Sequence, residues 1–348
     1  MQSKLTLLVP GLLQSPQSLQ RVAAEDKPDF KLLNRFFSRA RQAQAPVSGF
    51  YHTLFHLFGI EADEHGDHPV AALTYQVDAG RQTDSWCLRC DPVCIHADMD
   101  RAVLMGHGTL ALTAEETEQL VMIINAHVVQ DGWQVEAHAR DRWYVKGLDR
   151  NKIRTTPPQS IVGQDIKNDL PKGQDGAYWC SIMNECQMLL HESPANQQRQ
   201  SRGLLPVNSL WFWGGGQLPA NAVCHYDKVF ADAPLVEGLA ILSDCGTGQL
   251  DAVGQAIQQH DRQHYLLVID DLISPQISTD LFAWLDRVKE LQSSLIEKCI
   301  HMLKNKQLNE INILTCDGHS FQLTPVLLRH WWKRQAAFST LIEQAQDR

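Results

Sequence analysis

The chain has 348 residues, 44% hydrophobic and 20% charged, with a formal net charge of -9. That length suits one large α/β domain, or a core domain carrying an inserted second one. The acidic balance excludes a general nucleic-acid binder, which needs a basic face to displace counterions from phosphates, but leaves room for a small anion held by a local cluster of Arg.

Nine scattered cysteines, an odd number, do not make a disulfide framework and point to a reducing cytoplasm. No run approaches the roughly 18 apolar residues of a membrane span. Residues 5–9 form a short apolar run stopped by Pro10-Gly11, with no small-residue cleavage site. That reads as a buried first strand, not a signal peptide.

Residues 30–44 read as a helix, and 52–59 as an apolar helix stopped by Gly59. Residues 71–77 and 86–95 read as strands. Thr113 with Glu116 three residues on is a capping box opening a helix to His127. Residues 133–138 and 142–146 read as a strand pair. Residues 155–175, rich in Pro, Gly and polar side chains, read as a long ordered loop. A helix follows over 177–191, then a polar stretch over 192–203. Residues 209–213 read as a strand leading into Gly214-Gly215-Gly216. The remainder alternates: a strand at 229–230, a helix to Leu242, a strand at 265–269, a long helix over 279–304 and a strand at 311–315. Strands alternating with helices predict a parallel sheet covered on both faces.

Residues 193–219 carry the most specific pattern. They hold Asn196 and Arg199, then Pro206 and Asn208, then Trp211 and Trp213 before the glycines. Asn and Arg suit carboxylate or phosphate oxygens. The glycines let a ligand or another backbone approach closely, or they form a tight turn under two core tryptophans. Asn196, Arg199, Gly203, Pro206, Asn208, Trp211, Trp213, Gly214, Gly216 and Pro219 fall in register with a signature of archaeal-type, cofactor-independent phosphoglycerate mutases, which the chain resembles along most of its length. The loop over 155–173 resembles that family's Thr-Pro-Pro-His-Asp loop, with Gln159-Ser160 in place of His-Asp. Arg89-Cys90-Asp91 and Arg142-Trp143-Tyr144 resemble two further motifs, and 233–240 resembles a family helix.

The resemblance implies a three-layer α/β sandwich of alkaline-phosphatase type. Its core would span 1–96 and 205–348, and a smaller α/β domain would be inserted over 97–204. It also implies a serine nucleophile between two divalent metals, Mn or Zn, held by Asp and His. Paired metals neutralise the phosphoryl oxygens and deprotonate the serine. Here Pro10 stands where the first carboxylate ligand belongs. Asp270 and Asp271 are in place, but Pro275 stands where a histidine should follow. Asp317 and His319 are spread by Gly318. His330 is available as the last histidine. Ser48 matches the nucleophile, and its residue type also suits a helix N-cap.

The resemblance thus implies a degenerate bacterial branch labelled RpfE-type regulatory protein, which has lost two-metal phosphoryl transfer. Arg89, Arg142, Asn196, Arg199 and Asn208 would line a pocket for a phosphorylated or carboxylate ligand. The alternative is an active mutase or phosphatase holding a single Mn or Zn on Asp270, Asp271, Asp317 and His319.

Other clusters have plainer readings. Cys87, Cys90 and Cys94 with His96 have zinc-site residue types but no second matching pair, so buried thiols are the default. His52, His56, His65 and His68 read as surface or satisfied core histidines. Asp84, Asp91, Asp98 and Asp100 read as loop and turn residues. Trp331 and Trp332, among Arg329, Lys333 and Arg334, form either a core-docking helix or a surface for a protein partner.

Overall fold

A computed structural model describes residues 3–16, 19, 29–64, 66–98, 101–146, 150–259, 263–273, 280–329 and 336–346. Strands and helices are numbered along the chain. In β1 (Ser3–Leu8), Leu5 and Leu7, with Val9 beyond it, join one apolar cluster, while Leu8 is buried on the opposite face. A strand apolar on both faces belongs inside a parallel sheet. β1 pairs in parallel with β10 (His264–Val268) on one side and β11 (Leu308–Leu314) on the other. The seven-stranded order is β2 (Arg41–Gln44), β12 (His319–Leu323), β11, β1, β10, β8 (Lys228–Phe230) and β9 (Gly246–Gly248). β12 and β2 close one edge antiparallel.

Against this sheet pack α1 (Lys31–Phe37) and the long helix that runs from Leu281–Glu290 through a π turn, Leu291–Ile296, to Glu297–Lys304. Phe37 stacks edge-on against Phe321 at 4.7 Å. α2 (Phe50–Leu57), α7 (Pro234–Leu242) and α8 (Val253–Gln259) complete the helices of this unit that bear on the argument below.

The second unit is an antiparallel sheet. β3 (Cys87–Ala97) lies at its centre, paired with β7 (Ser209–Gly216), β4 (Ala102–His107) and β6 (Trp143–Lys146). β5 (Val135–Ala137) extends it beyond β6. α3 (Val70–Asp78), α4 (Ala114–Val128), α5 (Gly176–His191) and α6 (Pro194–Ser201) belong to this unit. Thr113 caps α4 with a complete capping box, as its spacing predicts.

Contacts divide the chain into residues 1–60 with 221–348, and residues 61–220. The expected boundaries near 96 and 204 are corrected outwards. The reason is pairing: β3 and β7 hydrogen-bond to each other, so both belong to the insertion. Other expectations also change. Residues 71–77 form helix, not strand; α3 is buried on nearly every side, so no amphipathic stripe marks it. The helix expected over 30–44 ends at Phe37, and β2 follows it. The polar stretch at 192–203 contains α6, opened by Ser193, whose hydroxyl accepts from the Asn196 backbone N–H at 3.3 Å. No helix among the described residues is long and apolar enough to cross a membrane.

The second unit is organised around a buried charge. Asp91, expected in a turn, is instead fully buried in mid-β3. Residues two apart on a strand share a face, and Arg89 grips Asp91 through two bonds of 2.7 Å, from Nε and Nη2. The indole N–H of Trp213 donates to the same carboxylate at 2.7 Å, and Nε2 of His107 lies 2.9 Å away. The Arg89 guanidinium lies over the rings of Trp213 and Tyr144. Burial alone raises a carboxyl pKa, but Arg89 and His107 outweigh it and hold Asp91 below its ordinary value.

The long loop over 155–175 is fastened by a second carboxylate. Asp67 accepts from the Thr155 backbone N–H at 3.0 Å and from its hydroxyl at 2.5 Å. Burial pushes the Asp67 carboxyl up to about 6 despite those bonds.

Replacing Asp91 by Ala would leave Arg89 charged and unpaired in the core. The expected loss is about 3–5 kcal/mol in urea denaturation, and a loss below about 1 kcal/mol would contradict the assignment. Asp67 sets a pH dependence of opposite sign to that of a salt-bridged acid. Its proton is held more tightly folded than unfolded, so its contribution is largest below about pH 4 and is lost as pH rises through about 6. Wild type should lose roughly 2–3 kcal/mol relative to Asp67→Asn over that window; parallel stability curves would refute this.

Candidate functional site

In an open parallel sheet, chemistry collects at the carboxyl ends of the strands. Here those ends are β11, β1 and β10, in that order. The Val9 N–H donates to Leu314 O, and the Ile269 N–H to Leu8 O, so the three chains leave the sheet side by side. Pro10 is buried at the end of β1. Gly11 turns the chain with φ +78, and a Cβ there would meet the Leu272 carbonyl oxygen at 2.7 Å. The Trp284 indole N–H donates to Gly11 O at 3.0 Å. The centre of the row is therefore a tightly packed turn.

Beyond β11, Cys316 and Gly318 both take positive φ. Between them Asp317 accepts from the Thr315 hydroxyl at 2.5 Å and from the His319 N–H at 3.2 Å. Its other oxygen lies 3.3 Å from His319 Nδ1. The Asp317 carboxylate thus braces its own turn. The segment before α2 is bonded to that turn: the Ala45 N–H donates to Gly318 O and the Gly49 N–H to Cys316 O. Ser48 is exposed there, its Cβ 4.0 Å from where a Cβ on Gly318 would stand. Gly49, not Ser48, is the N-cap of α2, so the capping role expected for Ser48 is corrected.

On the other side of β1, burial raises the Asp270 carboxyl, and repulsion from Asp271 and Asp232 adds to it. Asp317 and His319 meet, and Asp270 lies near Asp271, but the four do not converge. Among the described residues no three His, Cys, Asp or Glu side chains form a group able to hold a metal. The reason is positional. β1 lies between β10 and β11, so the two pairs sit two strand spacings apart, about 10 Å. The residue placed to bridge them is Pro10. Among the described residues the donor set does not make up a two-metal centre, and Asp270, Asp271, Asp317 and His319 do not come together as a single-metal set either. Pro275, His330, Trp331 and Trp332 lie outside the described residues.

The five residues expected to bind an anion serve the scaffold instead. Arg89 holds Asp91. Arg142 grips Asp78 through two bonds of 2.7 Å, joined by the Tyr144 hydroxyl. The three guanidinium nitrogens of Arg199 reach Leu205 O, Glu116 and Leu110 O, with the side chain 1% exposed. Asn196 bonds Leu190 O and both backbone groups of Val207. Asn208 takes the N–H and C=O of Ile95. Sequence shows donors but not the acceptors that claim them. The i, i+2 spacing of Arg89 and Asp91 was the one local signal of pairing; Asp78, Glu116, His107 and Trp213 are remote in sequence.

The glycines that end β7 likewise admit protein. A Cβ on Gly216 would lie 2.5 Å from Pro69, one on Gly215 2.5 Å from Trp86, and one on Gly214 2.9 Å from Val70. They let the start of α3 close on the strand. Cys87, Cys90 and Cys94 are free and buried, and burial raises all three thiols, which opposes the thiolate form a metal needs. In the larger unit, a cavity of about 680 Å³ lies beside the sheet, lined by Leu267, Asp271, Arg287, Lys298 and Met302 among others.

Residues 36–196 match the family model described as 2,3-bisphosphoglycerate-independent phosphoglycerate mutase. An enzyme of that name from Methanothrix thermoacetophila is 28% identical over 181 residues, covering 51% of this chain and 44% of the relative. One from Methanosarcina mazei is 38% identical over 138 residues, covering 39% and 34%. The chain thus spans less than half the length of these curated relatives. Both are named as mutases, and neither carries the RpfE-type regulatory label. A solved structure of a Pyrococcus horikoshii protein aligns over 93% of this chain and 87% of its own, at 15% identity and a TM-score of 0.50, a likeness of fold. The chain thus has an α/β fold like that of the Pyrococcus horikoshii protein, and its residues 36–196 are similar to the 2,3-bisphosphoglycerate-independent phosphoglycerate mutase family.

Proposed function

We propose that this chain has lost two-metal phosphoryl transfer and serves a ligand-binding or regulatory role on a mutase fold. One observation carries the reading: Pro10 ends the strand that lies between those bearing Asp270 and Asp317. Two metals that flank a phosphoryl group need a shared, dense set of oxygen and nitrogen donors. A proline side chain offers none, and Asp317 is already engaged by Thr315 and the His319 N–H.

For a small phosphorylated or carboxylate ligand the cavity beside Asp271 offers Lys298 among apolar walls, with Arg287 paired to Glu290 at 2.9 Å and Asp232 and Asp251 also in the lining. Nine free thiols support a reducing compartment, the cytoplasm. The protein-partner role for the Trp331-Trp332 segment stands on its composition alone.

A second reading keeps catalysis. It rests on Ser48, which two backbone bonds place beside the Asp317–His319 turn, where a nucleophile could meet a single divalent metal. One assay separates the two. Purified chain with Mn²⁺ is given 3-phosphoglycerate, and 2-phosphoglycerate is followed. No conversion above that of the Ser48→Ala variant is expected. Mn²⁺-dependent conversion that disappears in Ser48→Ala would overturn the proposal in favour of the enzyme.

A further inference from the structure

We infer that Cys224 and Cys245 are a modification site: a dithiol that closes reversibly into an intrachain disulfide when a hydroperoxide reaches it. The carbonyl oxygen of Tyr226 has the Cys224 sulfur 3.5 Å away and the Cys245 sulfur 3.2 Å away. One acceptor shared by both thiols makes the two sulfurs neighbours. Both are only partly buried, whereas Cys87, Cys90, Cys94, Cys186, Cys299 and Cys316 are buried.

The backbone holds the two sulfurs together before any reaction. Cys224 precedes β8 and Cys245 immediately precedes β9; these strands pair in parallel with Lys228 opposite Gly246. On the Cys224 side the Val223 N–H donates to Phe58 O and the Asp227 N–H to His264 O. On the Cys245 side its own N–H donates to Ala240 O, after Asp244 turns the chain at φ 52. An S–S bond of about 2 Å would thus form between sulfurs that already share one carbonyl oxygen as neighbour.

The two thiols have different reactivities. The interaction with the neighbouring Cys245 thiol lowers the Cys224 thiol to about 7, against the opposing effect of burial, while the Cys245 thiol is raised. Cys224 is therefore the attacking sulfur and Cys245 the resolving one. The Cys224 thiolate attacks a peroxide oxygen, the O–O bond breaks, and hydroxide or alkoxide leaves and takes a proton. Cys224 is oxidised to a sulfenic acid and the peroxide is reduced to water or alcohol. The Cys245 sulfur then loses its proton and attacks the Cys224 sulfur. The S–O bond breaks, hydroxide leaves with that proton as water, and the disulfide remains. An external dithiol reverses the last state.

The test uses the full chain treated with hydrogen peroxide, digested without reductant and mapped by mass spectrometry. A peptide pair joined through Cys224 and Cys245, lost on adding dithiothreitol, is expected. Cys245→Ser should instead accumulate a sulfenic acid at Cys224 that dimedone captures. At pH 7, iodoacetamide should label Cys224 in the wild-type chain at least about tenfold faster than Cys180, the other half-buried thiol. Absence of the joined peptide in oxidised wild type, or oxidation of Cys180 as fast as Cys224, would overturn the inference.

Discussion

The position of β1 between β10 and β11 governs what the larger unit can do. Parallel strands about 4.8 Å apart present their carboxyl ends as a row, and the residue ending the middle strand is the one its neighbours share. In this chain that residue is Pro10. Around it the structure is built as packing: Gly11 has no room for a side chain against Leu272, and Trp284 ties down the Gly11 carbonyl. The acidic residues on either side are left as separate pairs. Strand order therefore brings these acidic residues to one row, while the chemistry of the row depends on one side chain.

The second unit shows why a matched motif need not be a binding motif. Arg89, Arg142, Asn196, Arg199 and Asn208 each fit the family pattern, and each is engaged inside the fold. A buried guanidinium requires a carboxylate and further acceptors, or its desolvation is not offset. Asp91, Asp78 and Glu116 supply those carboxylates. Asn196 and Asn208 bond the backbone groups of Val207 and Ile95. These residues hold the strands and helices of the insertion together, and that is enough to account for their presence in the pattern.

Much of this was legible in the sequence, for identifiable reasons. β1, β10 and β11 announced themselves as short apolar runs, and Thr113 with Glu116 marked the start of α4 through purely local chemistry. Pro10 could be read as a missing ligand because a proline side chain donates nothing in any context. α3 was hidden because a helix buried all round has no stripe, and α6 because its stability comes from the Ser193 cap and the buried Asn196 and Arg199, not from apolar periodicity. Asp91 looked like a turn residue because Asp usually is one. Its partners Trp213 and His107 come from other strands, which only the fold brings into contact. The pairing of Asp317 with His319 was visible because it closes within one turn. The separation of that pair from Asp270 depends on strand order, which spacing does not encode.

The most direct test of the claim about Pro10 is metal stoichiometry. The purified chain would be dialysed against Mn²⁺ and then Zn²⁺, and bound metal measured per chain. With proline at the centre of the row, binding far below one equivalent is expected. Two equivalents per chain, lost together in Asp271→Ala and Asp317→Ala, would contradict it.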